Sequence, residues 1–312
     1  MKPGVGESGA TPLVTVIVPS YQHAAFVEQS IRSVWNQTYS ATELIVVDDC
    51  STDGSWELLT ALSKEQAFTL LRNERNLGLN ATLERGLALA RGEFVSILAS
   101  DDVILPHKLE RQVAYLQETG KDAVYANAEV LDLDGTYRPV DLGDVSERFR
   151  RATILPHVYC DDTRSPLLQS ALIRRRVMLE LSPIRNQFES DDWVMLIKML
   201  ERYDVGFLDE VVFVYRQHEA NSFKDYWWTL PSRVQVVARA VPQEFRTKAL
   251  GKLLSSHAQY LKRDGRTGSW IRFMLASFAL DPAPRRFPEY VRRQVKRAAR
   301  KLQQVVSSPD RR

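Results

Sequence analysis

Two hydrophobic periodicities alternate along the first hundred residues, and this alternation constrains the fold more than any other feature. Short apolar runs of strand length are each followed by a segment whose apolar residues recur at helical spacing. Strands that alternate with helices in this way build a parallel sheet covered by helices, so the pattern predicts a doubly wound α/β fold. The predicted strands are 13–18, 44–47, 68–71 and 94–98, and the predicted helices lie around 27–35, 56–62 and 79–90.

The rest of the chain is less regular. We predict a helix at 106–119, strands at 123–128 and 130–133, a turn at Asp134-Gly135, an irregular connection over 136–165, a helix around 193–200 and a strand at 211–215. From about residue 222 the pattern is helical only. The predicted organisation is therefore a flexible N-terminal tail (1–11), a mostly parallel α/β domain (12–222) and a C-terminal helical region (223–312).

Composition excludes several classes of protein. The chain has 312 residues, of which 44% are hydrophobic and 26% charged, which is an ordinary globular balance. Its two cysteines, Cys50 and Cys160, are too few for a disulfide framework or a four-cysteine zinc site. The first twelve residues carry no apolar signal segment, and the apolar run at 13–18 is far too short to span a membrane. We therefore expect a cytoplasmic protein.

Polar and acidic residues follow the predicted strands where a ligand would bind. Pro19-Ser20-Tyr21 follows the first strand, Asp48-Asp49 the second, and Ser100-Asp101-Asp102 the fourth. In open α/β sheets, ligands bind beyond the carboxyl ends of the strands. Helix capping by Asp53 and a turn would explain the Ser51 to Ser55 segment, but not two carboxylates at the end of a buried strand.

Three motifs in order resemble the family 2 glycosyltransferases: Val18-Pro19-Ser20-Tyr21, the segment Val47 to Ser55 (VDDCSTDGS) and Asn76-Leu77-Gly78. The resemblance covers about residues 12–222. It implies a GT-A fold, in which one α/β domain binds the nucleotide sugar and carries the acceptor site, here with a C-terminal helical extension. The implied nucleotide-sugar-binding residues are Pro19, Ser20, Tyr21, Asp48, Asp49, Asn76, Gly78, Ser100 and Asp101.

The resemblance also implies a divalent metal, Mg²⁺ or Mn²⁺. Asp102 would bind it, with Asp101 on the same metal or on the ribose, and His218 would approach the metal or the diphosphate. A departing nucleoside diphosphate develops negative charge that a hard cation stabilises. Ala99 departs from the family's motif, since many members have an acidic residue there. The alternatives are a helix-capping acidic pair and a structural histidine.

A later acidic motif, Ser190-Asp191-Asp192-Trp193, resembles the family's catalytic-base motif, and by position Asp192 is the base. Asp191 is the second candidate, or a helix cap. A base must take the proton of the acceptor hydroxyl as it attacks the anomeric carbon. One member of the run Arg174-Arg175-Arg176 could reach the diphosphate, although solvent-exposed charge is the better interpretation of the run.

The C-terminal tail is strongly basic. Residues 282–312 contain ten Lys or Arg and two acidic residues, a net charge of +8 within a chain of net charge +3. Apolar residues from Phe287 to Val306 recur at helical spacing between these cations. Such a helix can lie on an anionic membrane surface. Docking on the α/β domain is the alternative, and we expect no nucleic-acid partner because no aromatic platform accompanies the charge.

Two functions are compatible with these features. The first is a metal-dependent inverting glycosyltransferase with a nucleotide diphosphate sugar as donor, a UDP-sugar foremost. Its acceptor would be a glycan or a lipid-linked glycan in surface polysaccharide synthesis, at the inner face of the cell membrane. The second is a catalytically silent nucleotide-sugar-binding or scaffolding protein at the membrane, suggested by Ala99 and the tail. A nucleotidyltransferase is disfavoured because no glycine-rich phosphate loop with a lysine follows the first strand.

Overall fold

A computed structural model describes residues 11–140, 142, 144–150, 153–160, 166–182, 191–218, 226–263 and 265–280. The chain divides into two compact units. The first comprises residues 1–153 and 166–221, and the second comprises 154–165 and 222–312.

The first hundred residues of the first unit form the predicted alternation of strands and helices. The elements are β1 (Val14–Ser20), α1 (Val27–Trp35), β2 (Thr42–Asp48), α2 (Ser55–Glu65), β3 (Thr69–Arg72), α3 (Leu79–Leu89) and β4 (Phe94–Ile97). Each predicted strand and helix of this region is confirmed, with ends that differ by a few residues.

The remainder of the first unit contains the helices and strands predicted there together with short elements that the sequence did not reveal. They follow β4 as β5 (Val103–Ile104), α4 (Lys108–Thr119), β6 (Ala123–Leu131), β7 (Tyr137–Pro139), α5 (Val145–Arg150), a 3₁₀ turn (Leu168–Ser170), β8 (Leu172–Arg174), α7 (Arg175–Leu181), α8 (Asp191–Arg202) and β9 (Val205–Arg216). The prediction of two strands over 123–133 was wrong, because β6 is one strand whose register against β9 shifts around Asn127. The prediction of an irregular segment over 136–165 was also wrong where the structure describes it.

The strands of the described region form one sheet in the order β3-β2-β1-β4-β8-β6-β9-β5, with β7 paired to β6. The pairs β1 with β2, β1 with β4, β2 with β3 and β6 with β9 are parallel. The short strand β8 is antiparallel to both β4 and β6. The carboxyl ends of β1, β2 and β4 therefore share one edge of the sheet. The first acidic pair, Asp48-Asp49, lies at the end of β2, and the second acidic pair, Asp101-Asp102, follows β4.

Strand β1 is buried on both faces, which explains its continuous apolar sequence. Val14, Val16 and Val18 belong to one core cluster with α1. On the other face α3 approaches so closely that a Cβ on Gly86 would lie 2.5 Å from Cγ2 of Ile17. Glycine is therefore required for this contact between helix and strand.

The second unit is helical where the structure describes it. It contains α6 (Leu155–Tyr159), α9 (Tyr226–Ala240), α10 (Gln243–Arg263) and α11 (Thr267–Leu280). The Ser277 hydroxyl donates to the carbonyl of Gly251 at 2.6 Å and joins α11 to α10. None of the described helices combines the length and the apolarity needed to cross a bilayer. The basic tail, 282–312, lies outside the described residues.

Candidate active site

Two predicted nucleoside-binding residues lie side by side at the ends of β1 and β2. Ser20 and Asp48 are register partners, and both are buried. Oδ2 of Asp48 accepts the N–H of Ser51 at 2.9 Å and lies 3.5 Å from Nε of Arg72. Oγ of Ser20 and Oδ1 of Asp48 are buried without a hydrogen-bond partner among the described residues. Buried polar atoms are normally paired, so these two atoms are open to a ligand.

Asp49 is committed to holding the turn before α3. One of its oxygens, Oδ1, accepts from Nδ2 of Asn73 at 2.6 Å and from the N–H of Leu77 at 2.7 Å. The other, Oδ2, accepts the N–H of Gly78 at 2.8 Å, and Oδ1 of Asn76 lies 3.0 Å from the same N–H. Gly78 has φ +82°, a conformation that favours glycine. The residues predicted from Asn76-Leu77-Gly78 are thus tied directly to the first acidic pair.

Pro19 and Tyr21 flank the buried Ser20. Pro19 is buried inside β1, whereas Tyr21 lies just beyond the strand and is 43% exposed. An exposed aromatic ring beside unpaired polar atoms is suited to stacking on a base. The structure therefore brings the predicted residues of the first three strand ends to one edge.

The segment that follows β1 is tied to the loop that follows β2. Three consecutive backbone N–H groups donate to side chains of that loop, from Gln22 to Oγ of Ser51 at 3.0 Å, from His23 to Oγ of Ser55 at 3.1 Å and from Ala24 to Oδ2 of Asp53 at 2.8 Å. Gln22 also bonds Thr52 through both ends of its side-chain amide. These contacts fix the position of His23.

Asp53 was predicted to cap α2, and this prediction was wrong. The residue before the helix is Gly54, whose φ of +96° is not helical, so the helix begins at Ser55. Oδ1 of Asp53 instead accepts the N–H and the hydroxyl of Ser55 at 3.0 and 2.6 Å and closes a local turn. The Asp53 carboxylate therefore joins the loop to Ala24 rather than capping a helix.

The second acidic pair meets two histidines. Nδ1 of His23 hydrogen-bonds Oγ of Ser100 at 2.8 Å, and Nε2 of His23 lies 3.7 Å from Oδ2 of Asp101. Nε2 of His218 hydrogen-bonds the same Oδ2 at 3.0 Å. One ligand atom from each of His23, Asp101 and His218 lies within 4.8 Å of the others. The structure thus brings Asp101 and His218, two of the predicted metal-site residues, together with His23, a histidine to which the sequence motifs assign no role.

Asp102 is the more deeply buried acid of this pair. Its Oδ1 accepts the N–H of Arg216 at 2.9 Å, whereas Oδ2 is buried without a partner in the described part of the chain. Burial, and then the charge of Asp101, raise the pKa of the Asp102 carboxyl well above its usual range. A cation beside Asp102 would favour the ionised form.

These residues fit a divalent cation. The possible ligand atoms are carboxylate oxygens and imidazole nitrogens, and both kinds of atom bind divalent transition-metal ions such as Mn²⁺. Burial lowers the pKa of His23, which favours the neutral imidazole that can act as a ligand. Nδ1 of His23 bonds Ser100 and Nε2 faces Asp101; a hydrogen bond on one ring nitrogen in this way orients the other nitrogen for a metal. Asp102 is not one of the three clustered ligands, but it follows Asp101 in the chain and keeps one oxygen without a partner among the described residues.

The predicted catalytic base lies at the start of α8. Asp192 is half-buried in the first turn of this helix, and its charge contributes to raising the pKa values of Asp102, Tyr125 and Tyr215. The carboxylate is therefore electrostatically coupled to the second acidic pair. The side chain of Asp191 lies outside the described residues, as does Ser190, so the structure does not choose between the two acids.

Two arginines of the run Arg174-Arg175-Arg176 bind carboxylates that lie away from the acidic pairs. Nη1 of Arg174 lies 2.7 Å from Oε1 of Glu93, and Arg176 pairs with Asp122. Glu93 and Asp122 precede β4 and β6, so these ion pairs lie at the amino ends of those strands, away from the acidic pairs. Ion pairs with neighbouring carboxylates, rather than diphosphate binding, are the role that these two contacts support; Arg176 is exposed, whereas Arg174 is partly buried.

His23 is the candidate site residue that sequence reasoning missed. A lone histidine was assigned no role, since most such residues are structural. The signal that could have found it is position, because His23 stands three residues after β1 on the same edge as both acidic pairs. Its partners, Ser100 and His218, are distant in sequence and required the folded structure.

The fold is an α/β fold with two acidic pairs at one edge of its sheet, and comparison with known proteins identifies its family. The family model "Glycosyl transferase family 2" matches residues 15–179. The chain belongs to glycosyltransferase family 2, as the three motifs indicated.

Curated relatives share part of their length with this chain. A teichuronic acid biosynthesis glycosyltransferase assigned as putative, TuaG of Bacillus subtilis, is 34% identical over 131 residues, which are 42% of this chain and 51% of TuaG. The glucosyltransferase WfgD of Escherichia coli is 34% identical over 120 residues, 38% of this chain and 47% of WfgD. The chain thus spans about half the length of these relatives.

Solved structures show the same fold. The mannosyltransferase PcManGT of Pyrobaculum calidifontis, in complex with GDP-Man and Mn²⁺, is 21% identical with a TM-score of 0.61 over 94% of this chain and 81% of that chain. Residues 1–349 of TarS of S. aureus, in complex with UDP-GlcNAc, are 18% identical with a TM-score of 0.58 over 89% of this chain and 82% of that chain. The predicted GT-A fold, with a mostly parallel sheet and a helical C-terminal region, is confirmed.

Proposed function

We propose that this chain is a metal-dependent inverting glycosyltransferase that uses a nucleotide diphosphate sugar. The observation that carries the proposal is the cluster of His23, Asp101 and His218 with the unpaired oxygen of Asp102, on the same sheet edge as the unpaired atoms of Ser20 and Asp48. The cluster of histidines and aspartates suits a cation, and the atoms of Ser20 and Asp48 suit a nucleoside. Membership of glycosyltransferase family 2 supports the assignment.

The donor's nucleoside would occupy the edge formed by β1 and β2. Oδ1 of Asp48 is a carboxylate oxygen, which accepts hydrogen bonds and donates none, so it would bind an N–H or O–H group of a base or ribose. Ser20 can donate or accept, and Tyr21 supplies an exposed ring for the base. Uracil offers such an N–H, as guanine and thymine do, and a UDP-sugar is the first donor to test because the name of WfgD specifies UDP-Glc.

The donor's diphosphate would lie beside the second acidic pair. Asp101, Asp102, His23 and His218 are the residues that would hold a divalent cation, which when bound supplies positive charge for the departing diphosphate. Two imidazole nitrogens favour Mn²⁺ over Mg²⁺, since Mg²⁺ prefers oxygen ligands. Ser100 keeps His23 oriented through its hydrogen bond to Nδ1.

The acceptor hydroxyl would be deprotonated by Asp192. As this carboxylate takes the proton, the acceptor oxygen forms a bond to the anomeric carbon and the bond to the diphosphate breaks, which inverts the configuration. Coupling of Asp192 to Asp102 and to the buried Tyr125 supports a position close to the reacting groups. Asp191 is the alternative base.

The acceptor class is proposed from the relatives. The name of WfgD specifies a UDP-Glc donor and an α-D-GlcNAc-diphosphoundecaprenol acceptor, and TuaG is named for teichuronic acid biosynthesis. We propose that this chain likewise extends a glycan or lipid-linked glycan for a surface polysaccharide, on the cytoplasmic face of the membrane. The basic tail, 282–312, would provide peripheral attachment there.

The test is a panel of UDP-, GDP- and TDP-sugars, each examined by thermal shift with Mn²⁺ and with EDTA. A ligand that binds only the folded protein raises the melting temperature, so the true donor is the one with Mn²⁺-dependent stabilisation. Release of the nucleoside diphosphate in the presence of membrane glycolipid acceptors then demonstrates transfer. Binding that is equal in EDTA would refute the metal site, and binding without release would favour the catalytically silent protein.

A further inference from the structure

The ring of Phe26 contacts three side chains around the candidate metal site. Its centroid lies 4.5 Å from that of the His218 ring, and the two planes are nearly parallel at 29°. The ring of His23 meets it edge to face at 6.2 Å and 78°. The guanidinium carbon of Arg216 lies 5.6 Å from the Phe26 centroid. One aromatic side chain therefore touches both histidines of the cluster and the arginine beside Asp102.

Phe26 is itself held firmly at the start of α1. Its N–H donates to the carbonyl of His23 at 2.9 Å, and its carbonyl accepts the N–H of Ser30 at 3.2 Å. The first of these bonds closes the turn that carries His23, so the Phe26 ring and His23 belong to one local structure. Loop contacts from Ser55 and Ser51 hold the same turn from the other side.

We propose that Phe26 is a positioning residue that orients His218, and secondarily His23, for a divalent cation. The inference rests on the metal site of the proposed function. His218 follows the end of β9 by two residues, so strand pairing does not fix its side chain. The bond from Nε2 to Asp101 fixes one atom of the imidazole, and the stack on Phe26 fixes the plane of the ring.

A cation that binds His218 must overcome the free-energy cost of ordering the imidazole. A histidine whose plane is already set loses little side-chain freedom on binding a metal, whereas a freely rotating one must be ordered first. Outer-shell groups that orient metal-binding histidines typically change metal affinity by about 10- to 100-fold. Because Phe26 acts by stacking alone, the lower end applies, and we expect its loss to weaken Mn²⁺ binding about tenfold.

The experiment compares variants at Phe26 with a matched control. Phe26→Leu and Phe26→Met remove the ring and keep an apolar side chain, and Phe26→Tyr keeps the ring. The control is Phe68→Leu, because Phe68 is also partly buried and its ring instead pairs with Trp35 at 6.4 Å, at the far end of α1.

The readout is the NMR spectrum of protein labelled with ¹³C in histidine. The sequence contains five histidines, so each ring signal can be assigned by single substitutions. In the wild-type chain the stacked Phe26 ring gives His218 a ring-current shift, and Mn²⁺ added alone broadens His23 and His218 before the other three. In both ringless variants we expect that shift to vanish and the Mn²⁺ concentration for half-broadening to rise about tenfold. Phe26→Tyr and Phe68→Leu should match the wild-type chain.

The two possible failures are distinguishable. If Mn²⁺ does not broaden His23 and His218 first in the wild-type chain, the proposed metal site is wrong. If it does so in the wild-type chain, and the ringless variants keep the same midpoint, Phe26 has no positioning role and this inference alone is overturned. A weakened midpoint in Phe68→Leu as well would also overturn it, since the effect would then be a general consequence of losing a ring.

Discussion

A buried lysine should make the stability of the first unit depend on pH. Lys108 lies in the first turn of α4 and is fully buried. Its Nζ donates to Oγ of Ser96 at 3.2 Å and to the carbonyls of Gln169 and Ala171 at 3.0 and 3.1 Å. Burial lowers the pKa of Lys108 from 10.5 to about 7. The amine thus joins α4 to β4 and β8 at the cost of a desolvated charge.

The direction of the effect follows from the protons bound in each state. Between about pH 7 and pH 10.5 the unfolded chain keeps this proton and the folded chain does not, so the free energy of unfolding rises with pH. A pKa shift of this size changes the free energy of unfolding by about 5 kcal/mol over the whole window. About 3 kcal/mol of that change falls between roughly pH 6.5 and 9.5. The three acceptors favour the ammonium form, so these figures are upper bounds.

The perturbation is Lys108→Met, which keeps the length of the side chain and removes the titration. Urea unfolding of both proteins at several pH values gives the difference in their free energies of unfolding, in which the other titrating groups cancel. We expect the free energy of unfolding of the wild-type chain to rise relative to that of the variant by up to about 3 kcal/mol as pH rises through that range. The control is Lys64→Met on the exposed surface of α2, whose curve should stay parallel to that of the wild-type chain. Parallel curves for Lys108→Met would refute the reasoning.

Three further outcomes are expected. Asp102→Asn keeps an oxygen for the Arg216 N–H but removes a charge, so Mn²⁺-dependent UDP affinity measured by calorimetry should fall at least about tenfold; an unchanged metal dependence would contradict this. Asp192→Asn should lower kcat by about 10² to 10⁴ with donor affinity kept, because an amide cannot take the acceptor proton; if only Asp191→Asn is inactive, the base is Asp191. Deletion after Asp281 should weaken co-sedimentation with anionic vesicles while soluble-acceptor transfer persists, and salt should weaken binding of the full chain; equal, salt-insensitive binding of both forms would reject the membrane helix.

The elements of the first hundred residues were predictable because their signals are local. A strand buried on both faces is apolar throughout, and an amphipathic helix repeats every three to four residues, so neither depends on distant parts of the chain. Three strands were missed, β5 with two residues and β7 and β8 with three residues each, too few to show a period. Their pairing with β9 and with β4 and β6 stabilises them, and no local pattern records those partners.

The site was partly predictable for a similar reason. Carboxylates that follow buried strands are conspicuous, so the acidic pairs were found from order alone. The cluster around Asp101 was not, because it joins the ends of three elements whose residues are 78 and 117 positions apart in the chain, from His23 to Asp101 and from Asp101 to His218. Tertiary structure determines whether such distant residues come into contact. Position in the sequence can only place each of them at the carboxyl edge of the sheet.

The structure also gives a physical reason for the doubled acids at the strand ends. In the first pair Asp49 accepts three hydrogen bonds from the turn before α3, while its neighbour Asp48 keeps one oxygen unpaired. In the second pair Asp101 bonds His218, while Asp102 is anchored through one oxygen to the N–H of Arg216 and keeps the other unpaired. In both pairs one acid, Asp48 or Asp102, accepts a single backbone N–H and keeps its other oxygen for a ligand, while the second acid bonds neighbouring side chains or turns. Two adjacent acids divide these tasks, so each pair combines a rigid strand end with an open acceptor, the combination that preorganised binding of a nucleoside and a cation requires.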